Sequence, residues 1–411
     1  MSYLGYREQD LAEHAEAKKD LYAQRETVGP VVTKEYRGPL EESFFTIGEK
    51  KSAIIKRILR YKGTDEEFKE NMRVSNKGLA KTKEKITILA QENPTLSHAL
   101  EKYFTCLRAW AKGVGISEQE AFFLQNEGLG CQTIMIRGEN GEVFFAHTEE
   151  WEMDDAEKKV VTITPEWTTF IEPEEEGTEG AQAFTGYPFA LPGSTFGVNR
   201  GVFQAVDSLI LKPLAKPDTP ASVALWLCWY LAGKIDSKDC IEALGPYNGG
   251  FALNEASAHN GKVNARTIEF AYKGLATQKL EGEPLASSVQ TNVIQDVDLR
   301  KKFGGRLPKE EREYFLGLQN THTAIRKAWQ KRYEELREKA PQMSLRALEK
   351  EMALIPLNPK FSQTPYDFTY STWVAVLRPD GSFEARVSAG PMIPHDKSKS
   401  ESFITIEKPS Q

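Results

Sequence analysis

LQNEGLGCQTIMIRGENGEVFFAHTEEWE, residues 124–152, is the stretch that decides the fold of this chain. Within it, residues 134–137 and 142–147 have the alternation and the apolar content of two strands. They flank GENG, residues 138–141, and Asn-Gly is the dipeptide most typical of a tight β-hairpin turn. The stretch therefore predicts an antiparallel hairpin whose first strand begins next to Cys131.

Cys131 stands where a glycine-containing loop, residues 127–130, meets this first strand. If the chain were cut before Cys131, the freed α-amino group could take the proton of the cysteine's own thiol, and one residue would supply nucleophile and base. A buried cysteine without chemistry is the alternative, because free cysteines are often small, buried and apolar in character. The local sequence leaves both interpretations open.

The composition is that of an ordinary globular protein, and the length suggests two regions. The 411 residues are 27% charged and 40% hydrophobic, with a formal net charge of −6. A chain of this length exceeds one typical domain, and without a basic excess we expect no nucleic-acid partner. No apolar run approaches the roughly 18 residues of a membrane span, so no such span is expected.

Cysteines and histidines give no metal or disulfide pattern. The four cysteines include no C-x-x-C pair and the six histidines lack zinc-site spacing, so we predict no metal; no cofactor motif is present. The first residues lack the apolar core of a signal peptide, which favours a cytoplasmic location. A chain whose leader had been removed would look the same.

Residues 1–130 are predicted to form a mostly helical, charged region. Its clearest helix opens at Pro94 and should end at Gly113, with one apolar stripe facing the core. The stripe consists of Leu96, Leu100, Tyr103, Phe104, Leu107 and Trp110.

From Cys131 onward, strand and helix patterns alternate. Further strands are predicted over residues 160–164, 168–171, 202–210, 263–270, 372–377 and 382–387, and helices over residues 221–234, 308–339 and 344–354. Sheets covered by helices, in a layered α+β domain, follow from this order. The acidic stretch 172–179, EPEEEGTE, is expected to be a solvated loop.

Several segments, in order, carry a resemblance to a known family. Residues 111–116 read AKGVGI where the family has A-E-G-A-G followed by Ile or Val, and residues 131–133 read CQT where it has C-T-T or C-T-S. Residues 146–151, AHTEEW, correspond to G-(H/Q)-(N/T)-x-D-(W/F). Later segments that match its strand patterns are 192–209, 248–269 and 381–394. Over roughly residues 40–395 the chain thus resembles the acyl-coenzyme A:isopenicillin N acyltransferase family, autoproteolytic cysteine members of the N-terminal nucleophile (Ntn) hydrolases.

The resemblance implies a four-layer αββα sandwich preceded by a mostly helical N-terminal region, and a zymogen that cuts itself at Gly130-Cys131. Residues 1–130 would become an α subunit that stays bound, and residues 131–411 the catalytic β subunit. Amidase or acyltransferase chemistry is implied as well, in which the Cys131 thiolate attacks a small-molecule amide or an acyl-coenzyme A and forms an acyl-enzyme. Water would complete hydrolysis, and an amine would complete acyl transfer.

Near the nucleophile, the resemblance assigns roles to residues that depart from the family pattern. Where the family has an aspartate that organises the α-amine, this chain offers Glu149 and Glu150, and Glu150 is favoured because it precedes Trp151. Where the family often has an asparagine near the oxyanion, this chain has Asp207. A carboxylate there would repel developing negative charge unless it were protonated or turned away.

Five further polar residues are candidates, and four of them have a simpler alternative. Asn248 corresponds to a site-facing amide of the family or is a turn residue. Arg386, on the last predicted strand, could bind an acidic substrate group or be an exposed strand residue. His147, Thr133 and Asn199 are candidates for lining the substrate cleft, and His147 and Asn199 also fit purely structural roles.

Three functions therefore stay open. The first is a self-processing N-terminal-cysteine amide hydrolase or acyltransferase. The second is a related Ntn fold, altered or inactive in catalysis, with a binding role. The third is an unrelated layered α+β enzyme in which Cys131 is inert. Cleavage before Cys131 separates the first from the third, and the sequence fixes neither the substrate nor the oligomeric state.

Overall fold

The computed structural model describes residues 34–62, 66–125, 130–152, 169–178, 180–185, 187, 189–209, 219–271, 274–280, 287–290, 294–304, 312–313, 316–317, 343–345, 347–348, 367–389 and 404–408. The helices bounded within them are α1 (Leu40–Lys62), α2 (Glu66–Glu92), α3 (Pro94–Val114), α4 (Glu118–Leu124), α5 (Ala221–Tyr230), α6 (Ser237–Leu244) and α7 (Val297–Gly304). The strands are β1 (Lys34–Gly38), β2 (Gly130–Arg137), β3 (Val143–Glu152), β4 (Thr169–Pro173), β5 (Gln182–Thr185), β6 (Phe196–Asn199), β7 (Val202–Ser208), β8 (Thr219–Pro220), β9 (Tyr247–Asn248), β10 (Gly250–His259), β11 (Lys262–Ala271), β12 (Gly274–Lys279), β13 (Ser287–Gln290), β14 (Asp367–Leu377), β15 (Phe383–Ala389) and β16 (Ile404–Lys408).

Two large sheets organise these strands. The eight-stranded sheet has the order β1-β4-β5-β6-β7-β10-β11-β12, and the six-stranded sheet has the order β13-β2-β3-β14-β15-β16. All neighbours are antiparallel except β1 and β4, which run parallel. β8 and β9 form a separate short parallel pair. Because β1 precedes Cys131 in the chain, the N-terminal region contributes an edge strand to the eight-stranded sheet.

The two sheets pack face to face through a shared apolar core. Side chains at alternate positions of β2, β3, β7, β11, β14 and β15 meet between them, including Met135, Phe145, Phe203, Val263, Trp373 and Phe383. The alternation of a strand places every second residue on this inner face. Any other residue of these strands can therefore be assigned to the inner or the outer face by its position.

Helices cover the outer face of the eight-stranded sheet. α1 to α6 share one buried core with outward-facing residues of that sheet, among them Ile171, Val206, Leu253 and Ile268. On the six-stranded sheet, the outer-face side chains Ile134, Ile136, Phe144 and Val374 are buried too. The prediction of a mixed fold of helices and sheets is confirmed, and most of the helix predicted over 308–339 lies outside the described residues.

Local sequence sets the start of α3. Asn93 caps its first turn, because its side chain accepts a hydrogen bond from the Leu96 N–H at 3.1 Å. Pro94 takes the first helical position, where its fixed φ favours the helix and its missing N–H costs nothing. The predicted apolar stripe is buried along the whole helix. Among the described helices, none is both long and apolar enough to span a bilayer.

The prediction that Gly113 ends this helix is wrong, because Gly113 serves packing. The backbones of α1 and α3 lie against each other, and a Cβ on Gly113 would overlap the carbonyl oxygen of Phe45. Gly48 of α1 meets the carbonyl oxygen of Trp110 in the same way. The helix ends at Gly115 instead, whose φ of 76° is the left-handed conformation typical of a helix C-terminus.

The predicted hairpin is confirmed as β2 and β3. Its turn is closed by the Gly138 N–H, which donates to the Glu142 carbonyl at 2.8 Å, and Gly141 supplies a φ of 83°. A second long hairpin joins β10 and β11 through Asn260-Gly261, with φ values of 51° and 69° as in a type I′ turn. Five of the other predicted strands are observed, as β4, β7, β11, β14 and β15. The strand predicted over 160–164 lies outside the described residues.

The acidic stretch 172–179 is not a wholly solvated loop. Its first residues continue β4. Glu175 accepts hydrogen bonds from the Leu40 N–H at 3.3 Å and from Lys102 Nζ at 3.0 Å. A carboxylate at the first turn of α1 stabilises the positive end of that helix, so this residue is structural. Its neighbour Glu174 is exposed, as predicted.

Candidate active site

Cys131 is the second residue of β2 and lies on the inner face of the six-stranded sheet. Its side chain is only 3% exposed. In the antiparallel register with β3, Gly130 pairs with Glu150, and Cys131 pairs with Glu149. The alternation that places Met135 in the core between the sheets also places Cys131 there, at the end of that core where β2 begins.

The other three cysteines lie within helices and are buried. Burial raises the pKa of the Cys106 thiol and of the Cys228 thiol, which disfavours their thiolates near neutral pH. Neither they nor Cys240 stands at the start of a strand. Cys131 therefore differs from the other three in its place at the start of β2, and it is buried as they are.

Two predicted residues, Thr133 and His147, form a polar chain with Glu149 beside Cys131. Thr133 Oγ1 and His147 Nδ1 are 2.9 Å apart, within hydrogen-bond distance. His147 Nε2 and Glu149 Oε1 are 3.9 Å apart, the range of an ion pair when the imidazole is protonated. All three side chains are at most 2% exposed. These contacts link Thr133 and His147 to Glu149 on the inner face of the sheet. That the two residues line a substrate cleft stays a prediction.

A second polar chain lies on the inner face of the eight-stranded sheet. Asn254 of β10 donates from Nδ2 to Asp207 Oδ2 at 2.6 Å, and its Oδ1 accepts a hydrogen bond from Thr267 Oγ1 at 2.8 Å. These side chains are buried as well. The Asp207 carboxylate is thus held by an amide donor, and this hydrogen bond offsets part of the cost of burying the group.

The two polar chains belong to the same end of the sandwich. At the opposite end, Arg137 donates to the Val263 carbonyl at 2.9 Å and so fixes the far end of β2 over the start of β11. Packed sheets keep their strands within about 30° of each other. From Arg137, β2 therefore runs back toward the region where Asp207 and Asn254 lie, and β2 packs against β7.

Tyr187 approaches the nucleophile from the segment after β5. Its hydroxyl is 3.9 Å from Cys131 Sγ, and the residue is fully buried. The segment is fixed by Gln125, the residue after α4, which donates to the Phe189 carbonyl at 2.7 Å and accepts from the Leu191 N–H at 3.1 Å. Gln125, which precedes the Gly130-Cys131 bond, thus helps to hold the segment that contacts Cys131.

Two predicted site residues lie elsewhere. Asn199 donates from Nδ2 to the Trp229 and Tyr230 carbonyls at 2.9 and 3.2 Å, so it caps the C-terminal end of α5. Arg386 pairs with Glu384 on its own strand at 2.9 Å, and its register partner on β14 is an outer-face residue. Alternation places Arg386 on the face of the sheet opposite Cys131, so neither residue joins the site.

For Asn248 and Glu150 the structure gives the backbone position. Asn248 pairs with Pro220 in the short β8-β9 ladder and precedes Gly249, whose φ is 97°. Glu150 pairs with Gly130. The side chains of both residues lie outside the described part of the structure. Of the two glutamates, it is Glu149 whose carboxylate is described beside Cys131.

The sequence reasoning did not single out Asn254, Thr267 or Tyr187. Asn254 carried a usable signal, because it is a polar residue between Ala252 and Ala256 on one face of the strand FALNEAS. Thr267 lies on the predicted strand 263–270, where only the register shows that it meets Asn254. Tyr187 follows a short strand in irregular chain, and no pattern marks its approach to Cys131.

The arrangement gathers buried groups that can support nucleophilic chemistry away from bulk water. A thiol, a carboxylate and an imidazole are gathered on one sheet, and a polar chain that includes a side-chain amide lies on the sheet that faces it. Across the described part of the chain, His, Cys, Asp and Glu side chains form no group of three or more suited to a metal ion. No protein-family model matches this chain, and a search of curated proteins finds none that is significantly similar.

Proposed function

We propose that this protein is a self-processing N-terminal-cysteine amide hydrolase or acyltransferase that cuts its own chain at Gly130-Cys131. The observation that carries the proposal is the pairing of Cys131 with Glu149, two buried residues at the polar end of a two-sheet core, with glycine immediately before the cysteine. A carboxylate on the same face of the hairpin can serve as the adjacent base that activates a nucleophile.

Cleavage of the precursor needs a base other than the α-amine, because that amine is still part of the peptide bond. Glu149 is the group beside Cys131 that can take the thiol proton. The sulfur then attacks the carbonyl carbon of Gly130, the C–N bond breaks, and the nitrogen takes up the proton. Water hydrolyses the resulting thioester, leaving the Gly130 carboxylate, the free thiol and the new α-amine of Cys131.

In the cut protein the α-amine takes over as base. Its ordinary pKa of about 7.7–8.0 suits proton transfer near neutrality. The thiolate attacks an amide or thioester carbonyl and expels the amine or thiol, which leaves with the proton. Water or an acceptor amine then releases the acyl group from sulfur. Removing one hydrogen-bond donor to the oxyanion of such a reaction costs about 2.7–4 kcal/mol of barrier.

The proposal extends to the four-layer αββα fold and to a retained N-terminal fragment. Three layers, helices on a sheet on a sheet, are described, and the outer face of the second sheet is buried. α1 to α4 share the core of the eight-stranded sheet, and β1 pairs along its length with β4. A fragment that contributes a strand and most of one helical layer would stay bound after the cut.

The test is a pair of substitutions at the nucleophile, Cys131→Ala and Cys131→Ser, compared with Cys240→Ala as a matched buried cysteine. Cys131→Ala should leave the chain uncut and without amidase activity, Cys131→Ser should cut slowly, and Cys240→Ala should cut like the unaltered protein. Cleavage before residue 131 in Cys131→Ala would overturn the nucleophile. An uncut unaltered protein that binds acyl-amino acids without turning them over would favour the binding role instead.

A further inference from the structure

Tyr187 brings a phenol to the proposed nucleophile from outside the hairpin. Its oxygen lies 3.9 Å from Cys131 Sγ, within the distance at which a hydroxyl and a sulfur form a hydrogen bond. The tyrosine is fully buried and Cys131 is nearly so. Hydrogen bonds to an ionised group favour the ionised form, and the effect is larger where water is excluded.

The phenol is held in place by three contacts at its own residue. The Tyr187 N–H donates to Thr185 Oγ1 at 3.1 Å, and the ring stacks on Phe189 with a centroid distance of 5.9 Å. Its carbonyl accepts a hydrogen bond from Lys51 Nζ at 3.4 Å. Lys51 is only 6% exposed, which is unusual for a lysine and shows that its ammonium is directed into the protein.

Lys51 belongs to α1, and Gln125 to the chain just after α4, so both precede the Gly130-Cys131 bond. Both hold the segment that carries Tyr187. In the cut protein, these contacts would run between the two fragments. The N-terminal fragment would then help to position Tyr187, which in turn contacts the nucleophile.

We propose that the Tyr187 hydroxyl donates a hydrogen bond to the Cys131 thiolate, and that Lys51 of the N-terminal fragment is the positioning residue for this donor. The proposal rests on the proposed function, because it assigns the donor to the same sulfur. The titratable groups at this end of the sandwich within the described residues are Glu149 and His147 of β3, Asp207 of β7 and Lys51 of α1. Glu149 removes the proton in the precursor and the α-amine does so in the cut protein, and in both Tyr187 stabilises the charge that is left on sulfur.

The test is the rate at which iodoacetamide alkylates Cys131, followed by peptide mass spectrometry between about pH 6 and pH 9. Tyr187→Phe removes only the hydroxyl, and Tyr103→Phe is the matched control at another fully buried tyrosine. We expect Tyr187→Phe to react about tenfold more slowly near neutral pH, as loss of a hydrogen bond to a charged group predicts. The difference in alkylation rate between Tyr187→Phe and the unaltered protein should shrink as the pH rises, because the thiol then ionises without the donor.

Lys51→Met should lower the alkylation rate less, by roughly threefold near neutral pH, because the donor is displaced rather than removed. This difference from the unaltered protein should also shrink as the pH rises. Two results for Tyr187→Phe would overturn the proposal. One is an alkylation rate within twofold of that of the unaltered protein at every pH, and the other is a rate lowered by the same factor at every pH. The intact mass of the same samples reports cleavage separately. If the protein is uncut but the alkylation rate of Cys131 still falls in Tyr187→Phe, the proposed function is refuted and the hydrogen bond from Tyr187 stands. If the protein is cut but Tyr187→Phe leaves the alkylation rate unchanged, the proposed function stands and the hydrogen bond is refuted.

Discussion

The two ends of the core between the sheets are built from the same strands and differ in chemistry. β7 places Phe203 at one end and Asp207, four residues on and on the same face, at the other. β2 likewise carries Met135 in the apolar part and Cys131 at the polar end. The apolar end is closed by rings, with Phe203 and Phe383 edge to face at 5.1 Å. The polar end is closed by two chains of hydrogen-bonding side chains.

The apolar end of the core holds the fold together, and the other end buries the polar groups that the proposed chemistry would use. Buried polar groups cost free energy unless each finds a partner. At the polar end the cost is partly offset by the Asn254 bonds to Asp207 and Thr267 and by the Thr133–His147 bond. Substitutions at the two ends should therefore separate stability from activity.

The largest effect is expected at the apolar end. Phe203→Ala removes a fully buried ring and leaves a cavity, so the free energy of unfolding should fall by about 3–5 kcal/mol. Urea denaturation measures it, with Ile88→Ala, a residue 55% exposed on α2, as the control that should change little. The folded fraction should still cut at the normal rate. A loss below about 1 kcal/mol would mean that the apolar end does not hold the sheets together.

The next effect is on chemistry at the polar end. Glu149→Gln keeps the shape of the side chain but removes the base, and we expect cleavage to slow by about 100-fold, the lower range for loss of general base catalysis. Glu174→Gln, on an exposed glutamate, is the control. Glu150→Gln, made in parallel, decides between the two adjacent glutamates. If Glu150→Gln is the slower of the two, the base is Glu150 and the register-based assignment of Glu149 fails.

The smallest effect is expected at the edge of the second polar chain. Thr267→Val removes one hydroxyl at nearly constant volume and leaves Asn254 Oδ1 without that donor, so the unfolding free energy should fall by about 1–2 kcal/mol. Thr277→Val, on the exposed face of β12, should change it by less than about 0.5 kcal/mol. Equal losses in the two variants would show that the Thr267–Asn254 bond adds nothing to stability.

Much of the fold could be predicted from local patterns, because turns and apolar stripes are local. The Asn-Gly turn predicted the β2-β3 hairpin, and the stripe that begins at Leu96 predicted α3. Gly113 misled the prediction of the helix end, since the reason for that glycine is the backbone of α1, which is distant in sequence. Glu175 misled in the same way, because its partners Leu40 and Lys102 lie in another region of the chain.

The candidate site could be predicted only in part, since faces and partners depend on register. The sequence predicts five of the residues at this site: Cys131, Thr133, His147, Glu149 and Asp207. The structure brings Thr133, His147 and Glu149 together beside Cys131, with Asp207 on the facing sheet at the same end. Asn199 and Arg386 were chosen by their places in strand motifs, yet their side chains leave the inner face. Asn254 is marked by the alternation of its strand, but only the strand register shows that it meets Asp207. Tyr187 reaches the site through a long-range contact that no spacing reveals.

The most direct test of the central claim is the intact mass of the freshly purified, full-length protein. Self-cleavage predicts two species, residues 1–130 and residues 131–411, whose masses add up to the 46.3 kDa chain plus one water. The same preparation of Cys131→Ala should give the single uncut mass. A single 46.3 kDa species from the unaltered protein would contradict the account, because Cys131 would then have no α-amine to serve as its base.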